Sequence, residues 1–152
     1  MRLERAINIA DLRTLAKRRL PRMVFDYIDG GADDEITLEG NVARLREYQI
    51  YWKTLVDVSK IDMSTRIMGV DAKLPFFISP TAASRLFHPR DGEHAVARAA
   101  REAGAIYSIS TLGSVSIEDI AETYPGPKWF QVYVWRDQDL VGGILDRVRE
   151  AG

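Results

Sequence analysis

The sequence predicts an α/β fold built from successive βα units, the opening part of a (β/α)8 TIM barrel. Three observations carry that reading. Short apolar runs at 75–79, 105–109 and 129–134 recur at intervals of ~24–30 residues, and a helical stretch follows each one. Nothing marks the reversal of strand order that a doubly wound sheet requires, although an open sheet is the structural alternative. A complete barrel takes about 250 residues. The 152 residues are therefore expected to be the N-terminal part of a single barrel domain, with 1–73 as a helical extension and approach segment and 74–152 as the first βα units.

The elements follow in order. Asn8 is placed to cap a helix with Leu12, Leu15 and Ala16 on one face, and Lys17-Arg18-Arg19 near its end suit the dipole there. Pro21 can open a second helix, which Gly30-Gly31 closes. A third is predicted from about Asp33 to Arg46, with Asp33, Asp34 and Glu35 in its first turn and Leu38, Val42 and Leu45 at helical spacing. From about Ile50 to Lys73, β-branched residues and turn residues mix, which reads as an extended approach with short strands.

Pro75 to Ser79 then fits a buried strand, and an alanine-rich helix from Gly92 to Arg101 ends at Gly104. Ala105 to Ile109 is the second strand. Ser116 caps the next helix, with Asp119 three residues on. Trp129 to Val134 is the third strand, and Asp137 caps a last helix that Gly142-Gly143 weakens in its middle. Arg149-Glu150-Ala151-Gly152 repeats Arg101-Glu102-Ala103-Gly104, so a further strand is expected to follow it in a longer protein.

Composition narrows the class. Apolar residues make up 46%, enough for a real core, and 21 Lys and Arg against 22 Asp and Glu give a net charge of -1. That balance gives no electrostatic case for nucleic-acid binding. Without cysteine there is no disulfide framework, thiolate nucleophile or Cys-based metal site. No apolar run is long enough for a transmembrane helix, and the charged N-terminus is unlike a signal peptide. A cytoplasmic location is expected.

In a barrel, functional groups sit at the C-terminal ends of strands. Those positions hold Pro80, Thr81, Ala82 and Ala83 after the first strand, Ser108, Ser110 and Thr111 at the end of the second, and Gln131 and Tyr133 on a shared face of the third. Hydroxyls, an amide and a phenol offer donors and acceptors without a charge to desolvate, which suits a neutral heterocycle. The same Ser and Thr residues can equally cap helices and satisfy loop backbone. The carboxylates between Asp26 and Glu35 lack the alternating ligand pattern of a calcium loop, so no metal is expected there. His88, just before Pro89, is the better placed of two histidines for a general base, but a loop-structuring role is expected because no orienting partner accompanies it.

Several strings together resemble one family. They are Phe25-Asp26-Tyr27 with Gly30-Gly31-Ala32, Asp34-Glu35 and Asn41; Leu55-Val56-Asp57-Val58; Ile78-Ser79-Pro80-Thr81-Ala82; His88-Pro89; Ala97 to Ala100; Ser108 to Leu112; Ile117-Glu118-Asp119; and Lys128 to Tyr133. In that order and spacing the chain resembles the FMN-dependent α-hydroxy acid dehydrogenases and oxidases, which include L-lactate dehydrogenases and glycolate oxidases.

The resemblance implies FMN as cofactor and oxidation of a small L-2-hydroxy acid to the 2-oxo acid. It implies that Pro80, Thr81 and Ala82 lie against the flavin ring, and that Ser110 and Gln131 hydrogen-bond it. Tyr27 would contact the substrate carboxylate, and Tyr133 would contact the substrate as a catalytic hydrogen-bond donor. Leu112 stands where glycolate-oxidising relatives carry tryptophan, which favours L-lactate. The family's base, its carboxylate-binding arginine and its phosphate site would lie after Gly152, so the 152 residues alone are expected to be inactive. The alternatives are a catalytically inactive half-barrel fragment or a module that binds flavin or a partner. Oxygen, a quinone or a cytochrome would accept the electrons. The full-length protein is expected to be a homo-oligomer, with a peripheral place at the inner membrane as the alternative to a purely cytoplasmic one. Loop 88–93 is one residue longer than in the family pattern, and the segment 48–53 lacks its usual arginine-proline pair.

Overall fold

A computed structural model describes residues 3–152. The chain divides into two compact units, one running to Ser59 and the other from Lys60 to Gly152.

The first unit holds three helices, α1 (Ile9–Arg19), α2 (Arg22–Asp29) and α3 (Ile36–Leu45). The Asn8 side chain accepts the Asp11 amide at 2.8 Å, as its position predicts. Leu15 of α1 and Phe25 of α2 are buried, and the Arg13 guanidinium pairs with Asp29 across the two helices. The start of α3 departs from expectation. Asp33 and Glu35 take positive φ (49° and 58°), and the helix begins only at Ile36. The acids predicted for its first turn instead form the turn before it, where the Glu35 carboxylate accepts the Gly31 amide at 2.9 Å. Residues 50–58 carry neither helix nor strand.

The second unit opens with an antiparallel hairpin, β1 (Thr65–Ile67) and β2 (Val70–Ala72), in register Thr65↔Ala72 and Ile67↔Val70. Its two-residue turn, Met68-Gly69, has positive φ at both positions, the geometry that matches strand twist. A parallel sheet follows with strand order β3 (Phe77–Ile78), β4 (Ile106–Ser110), β5 (Lys128–Gln131). Helices α4 (Glu93–Ala103) and α5 (Ile117–Thr123) connect the strands, and α6 (Gln138–Glu150) follows β5. This is the predicted series of βα units.

Local chemistry sets the boundaries. Gly104 takes the left-handed conformation (φ 70°), the Ala105 amide reaches back to the Ala100 carbonyl at 3.0 Å, and the chain passes directly into β4. Ser116 and Asp137 cap α5 and α6 by accepting the amides of Asp119 and Leu140, each at 3.1 Å. Two strands are shorter than the sequence suggests. β3 keeps only two residues between Pro75, which has no N–H, and Pro80. β5 ends at Gln131 because its last pairing partner, Ser110, ends β4. Tyr133 therefore lies beyond the strand, and the shared strand face expected for Gln131 and Tyr133 is not formed.

All five residues of β4 are buried. Tyr107 and Ile109 join Ala97 and Ala100 of α4 and Val115, Ile120 and Tyr124 in one apolar cluster. Ile120 is wholly buried, which contributes about 2–3 kcal/mol. The Tyr124 hydroxyl donates to the Ala105 carbonyl at 2.8 Å, so this large ring buries no unpaired oxygen. By strand alternation, Ile106, Ser108 and Ser110 face the opposite side of the sheet.

Candidate functional site at the strand ends

The C-terminal ends of β4 and β5 are tied together through Gln131 and Thr111. The Gln131 side-chain oxygen accepts the Ser110 hydroxyl and the Thr111 amide, both at 3.3 Å. The Gln131 backbone carbonyl accepts the Thr111 amide at 3.1 Å and also the Thr111 hydroxyl. That hydroxyl accepts the Tyr133 amide at 3.1 Å, so one threonine anchors the backbone just past β5. The Ser110 hydroxyl accepts the Leu112 amide at 3.2 Å. Ser110 is buried, whereas Leu112 and Tyr133 are about half exposed.

The segment after β3 joins the same end. The Ala83 amide donates to the Leu112 carbonyl at 3.0 Å, which brings the Pro80–Ala82 stretch next to the Ser110–Leu112 stretch. Of the sequence-derived candidates, Pro80, Thr81, Ala82, Ser110, Leu112, Gln131 and Tyr133 thus occupy one end of the sheet. Tyr27 lies on α2 of the first unit, 65% exposed.

After these bonds, the half-buried Gln131 amide nitrogen has no partner among the described residues, and the Thr81 side chain is exposed. Deeper in β4, the buried Ser108 hydroxyl is also without a partner. Neutral, unpaired donors beside a half-exposed apolar residue suit a flat heterocycle that carries carbonyl and ring-nitrogen acceptors.

The histidines are otherwise engaged. The His88 Nδ1 accepts the Asp91 amide at 3.2 Å, which closes its loop, and the His94 Nδ1 lies 2.7 Å from the Thr123 hydroxyl. Among the described residues, no group of three or more His, Asp or Glu is placed to hold a metal ion, and no helix is long and apolar enough to cross a membrane.

Glu93 is the residue that sequence reasoning missed. It opens α4 and is 1% exposed, and its carboxylate receives three hydrogen bonds from the loops after β3 and β4. Its place behind Gly92 was the only signal. Gly92 takes φ 50° and ψ -128°, and a Cβ added there would stand 2.6 Å from Arg85 Cγ.

Parallel βα units whose polar groups gather at the carboxyl ends of the strands define an α/β architecture of the kind that binds ligands at that end. A family description, FMN-dependent dehydrogenase, matches residues 16–152, and the chain belongs to that family. A provisionally named L-lactate dehydrogenase of Mycobacterium tuberculosis is 44% identical over 152 residues, covering 99% of this chain and 36% of that protein. Glycolate oxidase 1 of Zea mays is 40% identical over 145 residues, covering 95% and 39%. Among solved structures, a mandelate oxidase aligns with a TM-score of 0.86 at 40% identity, over 97% of this chain and 44% of that one. A flavocytochrome b2 variant aligns at 0.90 and 34% identity, over 100% and 41%. The chain thus spans about two-fifths of the length of the relatives it matches, and its βα units are part of a (β/α)8 barrel.

Proposed function

We propose that this chain supplies the flavin-facing wall of an FMN-dependent enzyme that oxidises an L-2-hydroxy acid, L-lactate in preference, to the 2-oxo acid. One observation carries the reading: Ser110, Thr111 and Gln131 are locked to one another while the Gln131 amide nitrogen is left without a partner, in a chain of the FMN-dependent family. FMN, when bound, would take up the two electrons that leave the substrate. Gln131 and Ser110 would hydrogen-bond the ring edge, and Pro80, Thr81 and Ala82 would lie against its face. The Thr111 hydroxyl, holding the Tyr133 amide, would orient that tyrosine so that its phenol donates to the substrate. Tyr27 would donate to the substrate carboxylate.

L-lactate is supported by the aliphatic Leu112 and by the 44% identity to the mycobacterial relative. Because His88 is bonded within its own loop and His94 to Thr123 of α5, proton removal is assigned to a residue outside these 152. The isolated chain is expected to hold FMN weakly and to show no turnover. The electron acceptor is oxygen, a quinone or a cytochrome. A homo-oligomer in the cytoplasm, or peripheral at the inner membrane, is the expected setting.

The test is anaerobic mixing of the product of the complete coding sequence with L-lactate, D-lactate and glycolate, following the visible absorbance of flavin. Fast bleaching by L-lactate, slower bleaching by glycolate and none by D-lactate is expected. A protein that holds no flavin, or whose flavin no 2-hydroxy acid reduces, would overturn the reading. Turnover by the 152 residues alone would remove the assignment of the base elsewhere.

A further inference from the structure

Glu93 begins α4, yet its carboxylate serves two other segments. Oε1 accepts the Ser84 amide at 3.0 Å and the Ser114 amide at 2.8 Å, and Oε2 accepts the Ser114 hydroxyl at 2.6 Å. The Ser114 hydroxyl in turn accepts the Arg85 amide at 3.1 Å. Ser84 stands two residues after Ala82, and Ser114 two residues after Leu112. The loop after β3 and the loop after β4 are therefore joined through one carboxylate and its serine partner.

The charge is unusual for a brace. All three donors are neutral, and among the described residues Glu93 forms no ion pair. A buried carboxylate without a counter-charge is costly, and a site that needed only packing could use an apolar side chain. Only a carboxylate accepts several bonds in divergent directions; an amide of the same shape must turn one end into a donor. Burial pushes the Glu93 carboxyl up, but the Ser114 hydroxyl and amide and the Ser84 amide outweigh it and hold the group below its ordinary value. The charge is felt nearby: burial first, and then the Glu93 carboxylate, push the Tyr107 phenol up to about 12.

We propose that Glu93 is a positioning residue for the flavin-facing wall. Its carboxylate sets the spacing between the Pro80–Ala82 stretch and the Ser110–Leu112 stretch, and the bonds from Thr111 to Gln131 carry that spacing on to the third strand end. The proposal rests on the reading under Proposed function, because it is the flavin that would feel the spacing.

The test uses the flavin-loaded product of the complete coding sequence and the variants Glu93→Ala, Glu93→Gln and Ser114→Ala. Melting temperature, FMN Kd and the rate of flavin reduction at saturating L-lactate are measured on each. Glu93→Ala and Ser114→Ala are expected to weaken FMN binding and to slow reduction about tenfold each, because a bond lost at the brace displaces the wall. KM for the substrate is expected to stay within about threefold. Glu93→Gln keeps Oε1 for the two amides but turns a donor toward the Ser114 hydroxyl, so it is expected to recover only part of both losses. If Glu93→Ala does not fold, Ser114→Ala and Glu93→Gln decide between them. Variants that melt lower but bind FMN and reduce it like the parent would overturn the proposal while leaving the flavin reading intact. A parent that takes up no FMN would overturn both.

Discussion

Replacing Gly92 by alanine is a sharp test of the backbone next to the Glu93 brace. Gly92 sits at φ 50° and ψ -128°, where a residue with a Cβ is strained by about 1–3 kcal/mol. The new Cβ would also stand 2.6 Å from Arg85 Cγ. Arg85 is exposed and can swing aside at a rotamer cost of about 0.5–1.5 kcal/mol. Against these, alanine restricts the unfolded chain and returns about 0.4–1 kcal/mol. The net is a destabilisation of about 2 kcal/mol, or about thirtyfold in the folding equilibrium. Urea unfolding of the product of the complete coding sequence, followed by tryptophan fluorescence, measures it. Trp129 packs edge-on against Phe77 at 4.8 Å and reports the second unit. Gly142→Ala is the control: it lies inside α6 with nothing within 4 Å of an added Cβ, so it should stabilise by about 0.5–1 kcal/mol. A Gly92→Ala midpoint equal to the parent's would refute the strain argument. A Gly142→Ala midpoint that falls would show that glycine replacement here reports something other than backbone conformation.

Other predictions concern the site and the surface. Tyr133→Phe should lower the rate of flavin reduction more than it raises KM, and Tyr27→Phe should chiefly raise KM; the opposite split in stopped-flow reduction would exchange or remove those roles. Leu112→Trp should shift the ratio of kcat/KM for L-lactate over glycolate downward by about tenfold, and an unchanged ratio would take Leu112 out of substrate choice. The Arg147 guanidinium, with two 2.8 Å bonds, holds the Glu118 carboxyl down to about 2, below its ordinary 4.5. The α5–α6 tie is therefore fully present above about pH 4.5 and lost as pH falls through about 2. Denaturant midpoints should fall less steeply across that window in Glu118→Gln than in the parent, and parallel slopes would count against the tie.

Much of this architecture could be read from local chemistry. Asn8, Ser116 and Asp137 cap their helices as their positions predict, and Gly104 turns the chain from α4 into β4, because each effect depends on residues only a few positions apart. The misread boundaries depend on distant partners. Where β5 stops is decided by the end of β4, 21 residues earlier, and no pattern within 129–134 reveals it. The acids at Asp33 and Glu35 looked like helix charges, but their backbone had already turned left-handed. The candidate site divides in the same way. Strand-end Ser110, Thr111 and Gln131 were visible from their places at the carboxyl ends of the expected strands, whereas Glu93 reads as an ordinary first-turn acid until the loops it joins are folded around it.

The middle position of β4 also orders the way this unit can come apart. β4 is hydrogen-bonded on both edges and buried along all five residues, while β3 offers two paired residues and β5 four half-buried ones. Its amides are released to solvent only when a neighbouring strand detaches and the cluster around Ile120 opens. In deuterium exchange, Tyr107 to Ser110 would form the slowest-labelling segment, and the loops that carry Thr81 and Leu112 would label far earlier. Such a chain can let the rim of its strand ends breathe for a ligand without loosening the strand that spaces them.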